Sequence, residues 1–286
     1  MSKTIKSIVK KGLSNFNLII RSKVNGKYFK IPILGNVGIS NLSISEQWMV
    51  DLLKALLSID ANKFVDVGVN IGQTLLKVKS VDAQIEYLGF EPNPSCVFYV
   101  NKLIKVNSIK NTALYPVGIS TKTELGVFNF YYDSETDGSA SIIKDNNNKT
   151  VNRKEFIPLF DINTLKTKVD FDNMSILKID VEGAELEVIK SFEDEIKRNN
   201  PFIITEILPV YNEEENPVRF QRQNNLLEAL HTLDYFTFRI IKEKKNLIAI
   251  KKIQSIEIHS DLNKCEYLFV PKSKLQKLAS SGLTLT

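Results

Sequence analysis

Cysteine and histidine are scarce in this chain of 286 residues, which has two of each. Cys96 and Cys265 are too few and too far apart for a disulfide framework, so a reducing, cytoplasmic setting is expected. His231 and His259 have no partners at a recognisable spacing, which leaves a histidine-based triad or a zinc site without support. No apolar run approaches the roughly 20 residues that cross a bilayer, and no continuous apolar segment marks a secretion signal. Two nucleotide signatures are missing as well. There is no Gly-Lys-Ser/Thr phosphate loop, and the G-x-G-x-x-G of dinucleotide folds is broken at Asn70 and Gln73.

What is present suits a soluble globular chain, with 43% apolar and 25% charged residues. The net charge of +5 is uneven, because residues 1–30 carry eight Lys or Arg and no acid. A basic arm of this kind suits an anionic surface, so peripheral membrane contact is one expectation for it and a plain solvated terminus the other. Nucleic acid is disfavoured as a partner, because the excess charge is confined to the arm and the aromatic residues are scattered as core residues are. The oligomeric state is left open.

The organisation read from the pattern is an arm, hairpin-like segment and helix over 1–58, followed by one domain over 59–286. NGKYFKIPILGN reads as the hairpin, and Ser43 three residues before Glu46 reads as a capping box. From residue 63, apolar strands alternate with amphipathic helices, which predicts an α/β fold with a mostly parallel sheet covered on both faces. The strands fall at 63–68, 86–91, 113–117, 175–180, 201–207, 235–241 and 265–270, and the helices at 72–79, 94–106, 184–198 and 219–233. GVFNFYYD and KEFIPLFDI read as strands flanking a polar insertion at about 133–153. An insertion of that kind inside a compact domain is commonly functional, and it is expected over the mouth of the site.

Three segments carry candidate chemistry. In KFVDVGVNIGQ a strand runs into a glycine turn and a helix, which presents free backbone N–H groups to a ligand. Asp66 is a charge in an otherwise apolar strand and needs a partner, which a ligand ammonium would supply. YLGFEPNP ends on Glu91, placed to accept hydrogen bonds from a ribose diol. ILKIDVEGAELEVIKS brings Asp180, Glu182 and Glu185 to a strand end and the turn after it. Glu206 ends the next strand. Ligands of open parallel sheets bind outside such C-terminal ends.

In this order and spacing, VDVGVNIGQ, LGFEPNP and LKIDVEGAELEVIKS closely resemble the FkbM family of S-adenosylmethionine-dependent methyltransferases, over roughly residues 60–210. The resemblance implies a Rossmann-like class I methyltransferase fold, a seven-stranded sheet whose last two strands are an antiparallel pair. It implies S-adenosylmethionine as cofactor, with Asp66, Gly68, Asn70 and Gly72 along its methionine part. Glu91 would take the ribose hydroxyls, and Gly118 and Ile119 would lie along the adenine. Asp66 and Glu91 would then bracket the cofactor on adjacent strands. Asp180, Glu206 and Glu182, in that order, are the candidate bases for O-methylation, with a sugar hydroxyl of a glycan or a small glycosylated metabolite as the expected acceptor. A methyltransferase acting on another acceptor (nucleic acid, lipid or protein), a dinucleotide-dependent reductase and a non-catalytic cofactor binder are the competing readings.

Overall fold

The computed structural model describes residues 17–43, 45–143 and 150–286. The lysines at 3, 6, 10 and 11 and the DNNN run of the insertion lie outside them.

The chain begins with an antiparallel hairpin, β1 (Asn17–Val24) and β2 (Lys27–Leu34). Its turn is Asn25–Gly26, both with positive φ (46° and 82°). That is the demand of a two-residue type I′ turn, so the Asn-Gly expected to open the hairpin forms its tip. Helix α1 (Gln47–Ile59) buries Trp48, Met49, Leu52, Leu53, Leu56 and Leu57. The capping box does not form. Glu46 itself is the N-cap residue, and its carboxylate reaches across to pair with Lys77.

Strand β3 (Lys63–Val67) leads through a turn to α2 (Gln73–Val81), and β4 (Glu86–Phe90) leads to α3 (Pro94–Asn107). After β5 (Thr112–Tyr115) come three strands of a separate small sheet: β6 (Gly118–Ile119), β7 (Glu124–Phe130) and β8 (Arg153–Phe160). A short helix α4 (Ile162–Leu165) precedes β9 (Met174–Ile179), α5 (Glu185–Ser191) and α6 (Glu193–Asn199). Then follow β10 (Phe202–Glu206), α7 (Pro217–Thr232), β11 (Tyr235–Glu243), β12 (Asn246–Ile253), β13 (Glu266–Pro271) and α8 (Leu275–Ala279). The helix expected over 184–198 is broken at Phe192, whose fully buried ring packs edge-on against Phe171.

The main sheet has eight strands in the order β12-β11-β13-β10-β9-β3-β4-β5. Strands β10, β9, β3, β4 and β5 are parallel neighbours, and β13 pairs antiparallel with both β10 and β11. This is the expected doubly covered α/β architecture with one strand more. The extra strand is β12, an antiparallel edge on β11. It escaped the sequence pattern because its hairpin turns through Lys244 and Lys245, with Lys244 at φ 57° and no Gly or Asn-Gly to announce it.

Apolar residues fill both faces of the sheet. On one face, β2 and α1 join α2, α3 and Phe64 of β3 in a single cluster. On the other, Val65 and Val67 of the same strand meet α5, α6 and α7. Alternation of side chains along β3 thus divides its residues between two cores. Among the described residues, no helix is long and apolar enough to cross a membrane.

Candidate active site

Sheet register builds the site. Val67 of β3 pairs with Phe90 of β4 on one side and Ile179 of β9 on the other, and Ile179 pairs with Thr205 of β10. One residue beyond that row stand Glu91, Gly68, Asp180 and Glu206. Four strand ends from distant parts of the sequence thereby present one line of groups at the C-terminal edge of the sheet.

Gly68 has φ 90°, and a Cβ placed on it would lie 1.8 Å from the carbonyl oxygen of Asp180. Both the torsion and the contact demand glycine. Asn70 has φ 49°, a left-handed conformation that asparagine tolerates. Its backbone N–H donates to Glu91 Oε2 at 2.7 Å, and Asn93 N–H donates to Glu91 Oε1 at 2.8 Å. Glu91 thus ties the glycine turn to the β4–α3 turn. Burial pushes its carboxyl up to about 7 against the pull of those two hydrogen bonds. Cys96 also reaches the Asn70 side chain, Sγ donating to Oδ1 at 3.6 Å, and its thiol is held above the ordinary range by burial and by Glu91.

Gly68, Asn70, Glu91, Gly118, Ile119, Asp180, Glu182 and Glu206 line one cavity of about 220 Å³. Phe128 and Leu159 of the small sheet add an apolar wall beside Gly118 and Ile119. Asp137, Gly138, Ala140 and Ile142, from the segment that follows β7, complete the lining. Asp137 is occupied in shaping that segment, accepting from the backbone N–H of Tyr131, Tyr132 and Ser139 at 2.8–3.0 Å. Burial opposes its charge, yet these bonds hold its carboxyl below the usual range. A smaller recess of about 100 Å³ shares Gly68, Asn70, Asp180 and Glu206 with the first and adds Glu46, Gln73, Thr74 and Glu266.

Two expected wall residues stand elsewhere. Asp66 is fully buried beneath the cavity, and its charge is met by the protein instead of by a ligand ammonium. Lys178, its cross-strand neighbour on β9, puts its ammonium 3.3 Å from Asp66 Oδ1, and the Tyr87 hydroxyl donates to Oδ2. Burial raises the Asp66 carboxyl and the Tyr87 hydroxyl above their usual ranges. It is Glu91 alone of the expected bracketing pair that reaches the rim. Gly72 has φ 78° and starts α2, where a Cβ would meet Leu103 Cδ2 at 3.0 Å. It is needed for the turn and packs away from the cavity.

Lys178 is the residue that the sequence reading missed. Its Nζ also lies 3.1 Å from Asp180 Oδ2 and donates to Gly68 O at 3.3 Å. Burial works against its charge, but Asp180 and Asp66 hold its ammonium above the ordinary lysine range. The signal available was a lysine inside the apolar strand SILKI. Glu206 has the opposite surroundings. Burial, and then the like charges of Asp180, Glu266, Glu182 and Glu46, push its carboxyl up to about 8.

A family model for the methyltransferase FkbM domain matches residues 66–259. Methyltransferase 1 of Beauveria bassiana (strain ARSEF 2860) is 26% identical over 152 residues, covering 48% of this chain and 60% of that protein. Methyltransferase sdnD of Sordaria araneosa is 26% identical over 168 residues, covering 49% and 64%. The chain thus spans less than two thirds of the length of these curated relatives. Among solved structures, the methyltransferase FkbM from Methylobacillus flagellatus KT aligns over 73% of this chain and 44% of that one, with a TM-score of 0.44 and 15% identity.

Proposed function

The chain belongs to the FkbM methyltransferase family, and from that membership we propose that it transfers the methyl group of S-adenosylmethionine to a sugar hydroxyl of a glycan or glycosylated metabolite. The observation that carries this reading is the row Glu91, Gly68, Asp180 and Glu206, set side by side on one cavity by strand register.

The residues present fit the cofactor. Glu91 spends one hydrogen bond per oxygen on the backbone, and a carboxylate has about four acceptor sites, so capacity remains for a ribose diol. Gly118, Ile119, Phe128 and Leu159 offer an apolar wall suited to a heteroaromatic base. In the smaller recess, Glu46 and Asp180 each hold a lysine on one oxygen, Lys77 and Lys178, and their other oxygens suit an ammonium. Thr74 and Gln73, in the first turn of α2, suit a carboxylate. When bound, S-adenosylmethionine supplies an electrophilic methyl group and a sulfonium leaving group.

The chain's own residues orient the acceptor and take its proton. Glu206 is the best suited to that role, since its proton affinity near 8 is matched to a general base working close to neutrality. Asp180 is second, because Lys178 sits 3.1 Å from it and competes for its oxygen. Glu182 is third. Alignment supplies the larger share, as well-oriented reactions gain about 7–11 kcal/mol.

Calorimetric titration with S-adenosylhomocysteine against NADH tests the cofactor, with binding expected for the first alone. Transfer of labelled methyl groups onto fractionated glycans tests the acceptor. Labelling confined to protein or RNA would remove the sugar from the reading.

A further inference from the structure

Beyond Glu182 the same rim opens into a larger recess of about 400 Å³. The loops that follow β9 and β10 and the first turns of α7 enclose it. It shares Glu182 with the reaction cavity, and Ile207 in its floor directly follows Glu206. Its volume falls within the roughly 300–1,000 Å³ typical of small-molecule sites.

The floor is aliphatic. Leu186, Ile207 and Leu226 are buried there, and Val218 stands 58% exposed at the lip. Exposed Glu214 and Glu215, with Glu182, Asn216 and Arg219, also line it, whereas Arg222 and Glu185 are engaged within the protein. Arg222 clasps the Glu187 carboxylate and donates to Gly183 O at 2.8 Å, and Glu185 accepts from Gly183 N–H at 2.8 Å. Among the described residues that line the recess there is no aromatic ring. Sugar hydroxyls pressed onto this floor would face Leu186, Ile207 and Leu226, where they would lose water without gaining partners. An aliphatic group loses nothing by the same move, and its removal from water drives binding.

We infer that this recess holds an aliphatic portion of the acceptor, so that the methylated sugar is one attached to an apolar aglycone and not part of a free polysaccharide. The inference rests on the sugar O-methylation proposed above and narrows its acceptor. Continuity through Glu182 and Ile207 sets the apolar group next to the row of acids that receives the hydroxyl.

The test uses the full chain saturated with S-adenosylhomocysteine and titrated with n-octyl β-D-glucoside, kept below its micelle concentration, and with methyl β-D-glucoside. The octyl compound should bind at least about tenfold more tightly, because only its tail removes extra apolar surface from water. Val218→Asp should abolish that preference and keep S-adenosylhomocysteine binding. The change is expected to fold, since the site is exposed and an acid in the first turn complements the helix dipole. Equal binding of the two glucosides, or a preference unaltered by V218D, would overturn the inference. So would a parent dimer that V218D converts to monomer by light scattering, since a second copy would then cover the lip. Failure of the parent to bind S-adenosylhomocysteine would overturn the functional reading itself, a distinct outcome.

Discussion

The carboxylate of Asp66 lies 3.3 Å from the ammonium of Lys178, its direct partner across β3 and β9, and both side chains are buried. Lys178 extends the contact upward to Asp180 and to the carbonyl of Gly68. One internal cation thus supports the floor of the cavity and one of its acids together.

Breaking this pair should be costly. Lys178→Met leaves Asp66 without its counter-charge in the core, and losing one partner of a buried pair costs about 3–5 kcal/mol. The double variant D66N/K178M should be more stable than K178M alone, as measured by urea unfolding. If K178M unfolds at the same midpoint as the parent, the pair does not support the site in the way described.

Gly68→Ala forces a Cβ to within 1.8 Å of the Asp180 carbonyl oxygen at φ 90°. Backbone strain of this kind costs roughly 1–3 kcal/mol before the collision is relieved. The expected result is a lowered melting temperature together with loss of S-adenosylhomocysteine binding by calorimetry. Retention of both would show that the turn can relax away from β9.

Glu91→Gln replaces one acceptor oxygen with an NH₂ group that faces a backbone N–H donor. A hydrogen bond to a charged group contributes about 1.5–3 kcal/mol. S-adenosylhomocysteine affinity should therefore fall about 10- to 150-fold, with the larger effect if the Asn70 and Asn93 turns also loosen. Calorimetry on E91Q would reveal an unchanged affinity if the cofactor did not use this wall.

Glu206→Gln should reduce kcat by about 10²–10⁴ with S-adenosylhomocysteine affinity retained. In the parent, kcat should climb as pH rises through about 8, because Glu206 must lose its proton to act; the variant should lack that limb. Stability moves in the other direction. The folded chain holds this proton up to about 8, whereas an ordinary glutamate releases it near 4.5. Glu206 therefore contributes stability that is full below 4.5 and lost as pH rises toward 8. E206Q should match the parent near pH 5 and exceed it at about pH 9 in thermal melts. A pH–rate profile shared by parent and E206Q would transfer the proton-accepting role to Asp180.

Much of this arrangement was legible in the chain. The alternation of apolar strands and amphipathic helices announced a doubly covered sheet, because strand and helix periods are imposed by backbone geometry. The glycine turn, Glu91 and the strand-end acids were legible as well, since a parallel sheet must expose its C-terminal loops. The hairpin tip at Asn25–Gly26 and the edge strand β12 show where local signals mislead, one turn being misplaced and the other lacking its usual residues.

The sequence by itself determined which residues end strands and which backbone positions must be glycine or asparagine, because these follow from local torsions and patterns. Only the tertiary structure decided what those residues face. Lys178 lies more than a hundred positions from Asp66, and strand register alone sets it opposite, converting an apparent ligand contact into an internal ion pair. The same register crowds Glu206 with other acids and leaves Asp180 beside a lysine. Proton affinity depends on burial and neighbouring charge, so it was decided by packing and could not be read from residue type.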